Sequence, residues 1–100
     1  MPTKKLKNKS TFNEQVRAVV RQIPAGKTLS YKEVAIACQV PKAARAVARV
    51  MATNFDQTVP CHRVIHTNGQ IGSYNRGGQK VKEALLRQEG CVVKHGYIST

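Results

Sequence analysis

Cys61 stands between Pro60 and His62, with Arg63 next, in the run Val59-Pro60-Cys61-His62-Arg63-Val64-Ile65. The thiolate, not the thiol, attacks electrophiles, and a nearby base or cation makes the thiolate easier to reach. The run therefore sets a potential nucleophile beside a potential base and a cation. Cys38 and Cys91 bring the cysteine count to three. That number is odd and lacks the C-x-x-C spacing a structural zinc favours, so free thiols and no metal site are expected. A site forced from Cys61, His62 and His66 with Cys38 or Cys91 would have no recognised spacing.

Charge points to the partner. Seventeen Lys and Arg against five Asp and Glu give a formal net charge of +12. Such an imbalance repels itself in the compact state and favours a polyanion, with DNA or RNA first. An anionic membrane surface ranks below, because no amphipathic helix keeps a broad apolar face free for lipid. The start has no signal-like stretch, and no apolar run is long enough to span a bilayer. These features lead us to expect a reduced, intracellular monomer, cytoplasmic in a prokaryote or nuclear in a eukaryote.

One hundred residues make one domain with a modest core. Residues 1–10 read as a basic flexible arm, 11–93 as the folded domain, and 94–100 as a frayed tail. Thr11 with Glu14, and Ser30 with Glu33, have capping-box spacing. Apolar periodicity after them predicts helices near 12–22 and 31–38. Pro41 suits the first turn of a third helix, and the helix formers of 42–53 should carry it to Asn54. Two short helices joined by so tight a turn read as a helix-turn-helix. Residues 55–62 read as loop and extended chain. Residues 63–66 and 70–71 flank Asn68-Gly69 as a small hairpin. Val81, Ala84, Leu85 and Leu86 mark a last helix ending at Gly90, and Val92-Val93 an edge strand. The expected fold is mostly α with a small β-hairpin, a winged-helix-like helix-turn-helix.

Lys42, Arg45 and Arg49 lie three and four apart among alanines and valines, so they share a helix face that can approach DNA closely. Five blocks then occur in a telling order. They are Ile23-Pro24-Ala25-Gly26-Lys27-Thr28-Leu29-Ser30-Tyr31, Ala43-Ala44-Arg45-Ala46-Val47, Asn54, Pro60-Cys61-His62-Arg63-Val64, and Gly72-Ser73-Tyr74 followed by Leu85-Leu86-Arg87-Gln88-Glu89-Gly90. Together they resemble the DNA-binding domain of the O6-alkylguanine-DNA alkyltransferases, across about residues 12–90.

The resemblance implies a role for each matching residue. Cys61 resembles the alkyl acceptor, His62 the residue that activates it through a water, and Glu89 the carboxylate that orients His62. Asn54 resembles the residue fixing the turn between recognition helix and active-site loop. Arg45 resembles the arginine that fills the gap left by an extruded nucleotide, since chemistry on a stacked base needs that base out of the helix. Tyr31 resembles the tyrosine at the rotated phosphate and flipped base, while Lys42 and Arg49 add DNA contacts. The Val64 and Cys61 backbones would read the guanine. The Tyr74-Asn75-Arg76 loop would wall the pocket, with the O6 donor open between Asn75 and Arg76. The implied reaction is repair of O6-alkylguanine in double-stranded DNA by irreversible transfer to Cys61, with no cofactor.

Three departures from the family pattern stand out. The ribonuclease-H-like domain found in many members is expected to be absent, and with it any metal site there. The stretch from Asn54 to Cys61 is one residue short, and that from Tyr74 to Leu85 one residue long. The main rival is the group of alkyltransferase-like proteins, which recognise the lesion and hand it on. They typically carry Trp or Ala where this chain has Cys61. A plain helix-turn-helix transcription factor leaves Pro60-Cys61-His62-Arg63 and Glu89 unexplained. A cysteine hydrolase leaves the charge unused.

Overall fold

The computed structural model describes residues 11–99; the basic arm expected at 1–10 lies outside them. Helix α1, Phe12–Arg21, opens with Thr11 accepting from the Glu14 N–H while the Glu14 carboxylate accepts from the Thr11 N–H. Strand β1, Leu29–Ser30, leads into α2, Tyr31–Ala37, where Ser30 and Glu33 form the same reciprocal cap. Both capping boxes foreseen in the sequence satisfy N–H groups that a helix start would otherwise leave unpaired.

Helix α3 spans Ala44–Ala52, two residues later than its composition suggests. The cause is the way α2 ends. Gln39 adopts φ +65°, and the N–H groups of Gln39 and Val40 return to the carbonyls of Ile36 and Ala35. This Schellman-type stop consumes residues 39–40. A turn closed by the Ala43 N–H on the Val40 carbonyl follows, so Pro41 sits inside a turn and not on the first turn of α3. Lys42 therefore precedes the helix that carries Arg45 and Arg49.

A 3-10 turn, Cys61–Arg63, brings the chain into β2, Val64–Ile65, which pairs parallel with β1 as Leu29 to Val64 and Ser30 to Ile65. Parallel neighbours need a crossover, and here the helix pair α2–α3 supplies it. The hairpin expected across Asn68-Gly69 does not form as a two-stranded unit. The turn is present, with the Gly69 N–H on the His66 carbonyl and the His66 N–H on the Gln70 carbonyl. Yet Val64 and Ile65 are buried and taken by β1, while Gln70 bridges Tyr97 and the Ile71 N–H reaches the Gly96 carbonyl. The small hairpin lies instead at the end of the chain, as β3, Val92–Lys94, antiparallel to β4, Tyr97–Ser99. The tail read as frayed thus contains a strand, because its carbonyls and N–H groups are claimed by β3 and by residues 69–71.

Helix α4, Gln79–Gln88, ends as expected at Gly90, whose φ of +98° suits the Arg87 and Leu86 carbonyls accepting from Gly90 and Cys91. Its buried face differs from the sequence reading: Val81 is exposed and Lys82 is buried with Leu86. Val16, Val20, Val34, Val47, Val50, Met51, Val59 and Val64 form the main core, joining α1, α2, α3 and β2. Ile65, Ile71, Leu86 and Val93 form a second cluster that seats α4 and the hairpin. Cys61 sits in the first cluster, so its side chain is held by core packing.

Candidate active site and nucleic-acid interface

Cys61 is 4% exposed. Its N–H closes a tight turn on the Val59 carbonyl, and its Sγ lies 3.5 Å from that same carbonyl. Asn54, buried just past α3, donates from Nδ2 to Cys61 Sγ at 3.1 Å and to the Asp56 carbonyl at 3.2 Å. A side chain that reads locally as a helix-end residue therefore also reaches the sulfur. The loop between them is braced from outside: Arg21 pairs with Asp56 at 3.1 Å, and the Asp56 carboxylate accepts from Thr58 twice. Those Thr58 bonds, followed by Arg21, hold the Asp56 carboxyl below its ordinary range.

His62 follows Cys61 in the 3-10 turn and not in an extended segment, so the divergence expected of neighbours on a strand is not what separates them. Glu89, one residue past α4, meets His62 Nε2 at 2.9 Å. Arg63 grips the same carboxylate with Nε at 3.0 Å and Nη2 at 2.7 Å, and donates Nη1 to the Ile23 carbonyl at 2.7 Å. This fork holds Glu89 down at about 2, chiefly through Arg63 and then through His62. The sequence marks Arg63 only as a neighbouring cation; its grip on a carboxylate 26 residues away needed the fold.

A cavity of about 520 Å³ opens beside Cys61. Tyr31, at the start of α2, and Arg45, Ala48, Arg49, Met51 and Ala52 of α3 form one side. His66, Ser73, Tyr74, Asn75 and Lys82 form the other. Small residues on α3 leave the space, and Arg45 and Arg49 rim it with exposed charge. Lys42, in the preceding turn, is exposed but does not line the cavity. Val64 is fully buried in the core and likewise lies outside that lining.

Lys82 is the residue that sequence reading missed. It is 1% exposed, points Nζ at the Ser73 carbonyl at 3.3 Å, and sits 5.8 Å from the centre of the Tyr31 ring. Burial lowers its pKa from 10.5 to about 8. The signal was available: Lys82, Leu86 and Glu89 are four and three apart, so a lysine shares the face that Leu86 buries. Tyr31 is pushed up by burial and by the Cys61 sulfur, and its ring meets His66 edge-on at 5.2 Å. Gly72 is required there, since a Cβ would fall 2.6 Å from His66 Nε2.

The loop after Tyr74 divides its residues between two places. Asn75 donates Nδ2 to the carbonyls of Ala52 and Asn54 at 2.9 and 2.8 Å. Arg76 lines a second cavity, of about 410 Å³, together with Arg21, Pro60, His62, Arg63 and Tyr74. Among the described residues no three His, Cys, Asp or Glu side chains gather as a metal set, and no helix is long and apolar enough to cross a membrane.

Known proteins are similar to this chain in sequence and fold. The chain is 44% identical over 82 residues to the methylated-DNA–protein-cysteine methyltransferase of Mus musculus, an overlap of 80% of this chain but 39% of that one. Its fold matches the crystal structure of Mycobacterium tuberculosis OGT in complex with DNA, with a TM-score of 0.75 and 41% identity over 80% of this chain and 50% of the other. It matches equally Schizosaccharomyces pombe Atl1 in complex with damaged DNA containing O6-carboxymethylguanine: TM-score 0.75, 32% identity, 83% of this chain and 79% of that one. The chain thus spans about two fifths of the mouse relative and most of the Atl1 chain. With residues 11–91 matching the DNA-binding domain of the 6-O-methylguanine DNA methyltransferases, the chain belongs to that family.

Proposed function

We propose that this protein binds duplex DNA through α2 and α3, takes an O6-alkylguanine into the cavity beside Cys61, and accepts the alkyl group on that sulfur. The observation that carries the reading is the buried Cys61 sulfur, met by Asn54 at 3.1 Å, in the wall of a cavity rimmed by the arginines of α3. Base flipping brings the O6 edge to a nucleophile that could never reach it in the stack. Arg45 fills the space the base leaves, and Arg49 and Lys42 hold phosphates.

In the transfer step Sγ bonds to the alkyl carbon as the C–O6 bond breaks. The electron pair of that bond goes to O6. Guanine then takes up one proton, matching the one lost by the thiol, so the products are guanine and S-alkylcysteine and the protein acts once. His62 joins Glu89 and not Cys61, so the thiol proton passes to it through an intervening water. Glu89 fixes the imidazole and supports its charged form. Asn75 commits its N–H groups to two carbonyls, so the donor for O6 comes from the other polar side chains lining the cavity, Tyr31, Ser73, Tyr74 and Lys82 among them.

Incubation with a duplex containing O6-methylguanine, followed by intact mass and peptide mapping, tests this. A gain of one methyl group on Cys61 is expected, and methyl on Cys38, on Cys91 or on no cysteine overturns the assignment. A second reading draws on the 79% coverage of Atl1: tight binding to O6-alkylguanine DNA without transfer. Lesion-selective binding with no mass change would establish it.

A further inference from the structure

We infer that Arg76 is a catalytic residue of this chain, a cation set behind Cys61 that holds its sulfur as the thiolate. The inference rests on Cys61 being the nucleophile. Arg76 belongs to the turn Tyr74–Gly78, closed by the Gly78 N–H on the Tyr74 carbonyl. Its Nη2 donates to the Asp56 carbonyl at 2.8 Å and lies 3.8 Å from Cys61 Sγ. Asn54 Nδ2 reaches the same two acceptors, at 3.2 and 3.1 Å. Two donors therefore span one backbone carbonyl and one sulfur. The carbonyl is a permanent partner that fixes both donors in place, and the sulfur is the acceptor whose strength depends on its proton.

As a thiol, Sγ has the Val59 carbonyl at 3.5 Å as its acceptor and is a weak acceptor itself. As a thiolate it faces the Asn54 amide and the Arg76 guanidinium together. Neighbouring positive charge and donated hydrogen bonds both favour the ionised form. Among the described residues no carboxylate takes the Arg76 charge, whereas Arg21 is paired with Asp56 and Arg63 with Glu89. Arg76 is half-buried, with its Nε buried and without a partner, so the inner edge of the guanidinium is partly withdrawn from water. Such placement is costly unless a negative group lies nearby, and the one within reach is Cys61.

The side of approach matters as much as the charge. Arg76 lines the second cavity, while Cys61 lines the first with Tyr31, Arg45 and Lys82. Arg76 is not among the residues that line the first cavity. The other charged or titratable groups around the sulfur are Tyr31 of α2 and Lys82 of α4. His62 follows in the chain with Glu89 and Arg63 behind it. Lys82 shares the favourable sign, so its contribution must be separated from that of Arg76.

The test is the rate of Cys61 alkylation by iodoacetamide against pH, followed by the mass of the Cys61 peptide. Arg76→Gln can still donate to the Asp56 carbonyl but carries no charge. It should move the pH midpoint up by about one unit and slow the reaction at neutral pH about tenfold. Arg76→Lys should recover most of the shift. Lys80→Ala, which removes an exposed charge nearby, should leave the profile unchanged, and Lys82→Met should shift it independently of Arg76→Gln. An Arg76→Gln profile coinciding with wild type overturns the inference and leaves Arg76 a loop tether. Should Arg76→Gln fail to melt cooperatively, Arg76→Gly with and without added methylguanidinium decides: restoration of the wild-type midpoint supports the inference, and no response opposes it. Iodoacetamide needs neither DNA nor guanine, so absence of methyl transfer from the O6-methylguanine duplex would overturn the proposed function without touching this result.

Discussion

Glu89 is gripped by Arg63 and His62 at once, and the consequence is measurable without substrate. Its carboxyl falls from the ordinary 4.5 to about 2. A carboxylate depressed by folding contributes stability that is present above the unfolded value and lost as pH falls through the folded one. Wild type should therefore lose stability between about pH 4.5 and 2, and Glu89→Gln should lose less across that window. At neutral pH the variant should be less stable by about 2 kcal/mol, because Arg63 keeps a part-buried charge without its carboxylate partner. Urea titrations at several pH values read both effects. Glu89→Gln and His62→Ala should slow methyl transfer on the order of a hundredfold while changing DNA affinity little. Equal losses in both would argue against an activating relay. Lys82 has the opposite sign. Its folded pKa of about 8 lies below the ordinary 10.5, so the folded state pays for its charge below pH 8 and less as pH rises toward 10.5. Lys82→Met should raise stability at pH 7 by about 1–3 kcal/mol while reducing transfer. A destabilised Lys82→Met would contradict the burial argument.

Helix α3 ties the DNA surface to the site chemistry. Arg45 and Arg49 project from a helix whose other face, Val47, Val50 and Met51, is core, and whose end passes directly into Asn54. Any shift of α3 therefore moves the donor on Cys61. Arg45 is proposed to stabilise a state that costs a few kcal/mol in unstacking and unpairing. Arg45→Ala should then slow transfer from duplex DNA but leave reaction with free O6-benzylguanine nearly unchanged. Arg45→Lys should rescue it only in part, since an ammonium lacks the planar fork. Arg49→Ala is the comparison: equal selectivity in single-turnover assays would make both arginines phosphate anchors. Lys42 lies in the turn before α3, so Lys42→Ala should weaken binding to damaged and undamaged duplex alike.

Across the whole molecule the +12 charge favours a polyanionic partner, and DNA is the one proposed. Its acids are few, and Asp56 and Glu89 are already spent on Arg21 and on the pair His62 and Arg63. The rest of the basic surface is left for phosphates. Affinity for duplex should fall steeply and linearly in log–log form as salt rises, because each phosphate contact releases condensed counterions. A flat salt dependence, measured by fluorescence anisotropy, would contradict the charge argument.

Much of this was legible in the residues alone. Capping boxes at Thr11 and Ser30, Gly90 as a helix stop and the helix-turn-helix spacing are local chemistry, encoded within a few positions. The neighbourhood of Cys61, His62 and Arg63 is likewise written in one run. What local pattern could not carry was partnership between distant segments. Val64 and Ile65 read as half of a hairpin, but only burial against Leu29 and Ser30 decided their partner. The true hairpin, β3 with β4, was invisible because pairing at the chain end depends on what Gln70 and Ile71 leave to be satisfied. Lys82 went unmarked beside the apolar positions Val81, Ala84, Leu85 and Leu86, and packing buried it while leaving Val81 exposed. Arg76 read as a wall of the base pocket, and only the fold set its Nη2 on the Asp56 carbonyl, 3.8 Å from Cys61 Sγ. Hydrophobic period and capping are properties of a segment, whereas the position of a long charged side chain is decided by whichever distant acceptor the folded chain brings within reach.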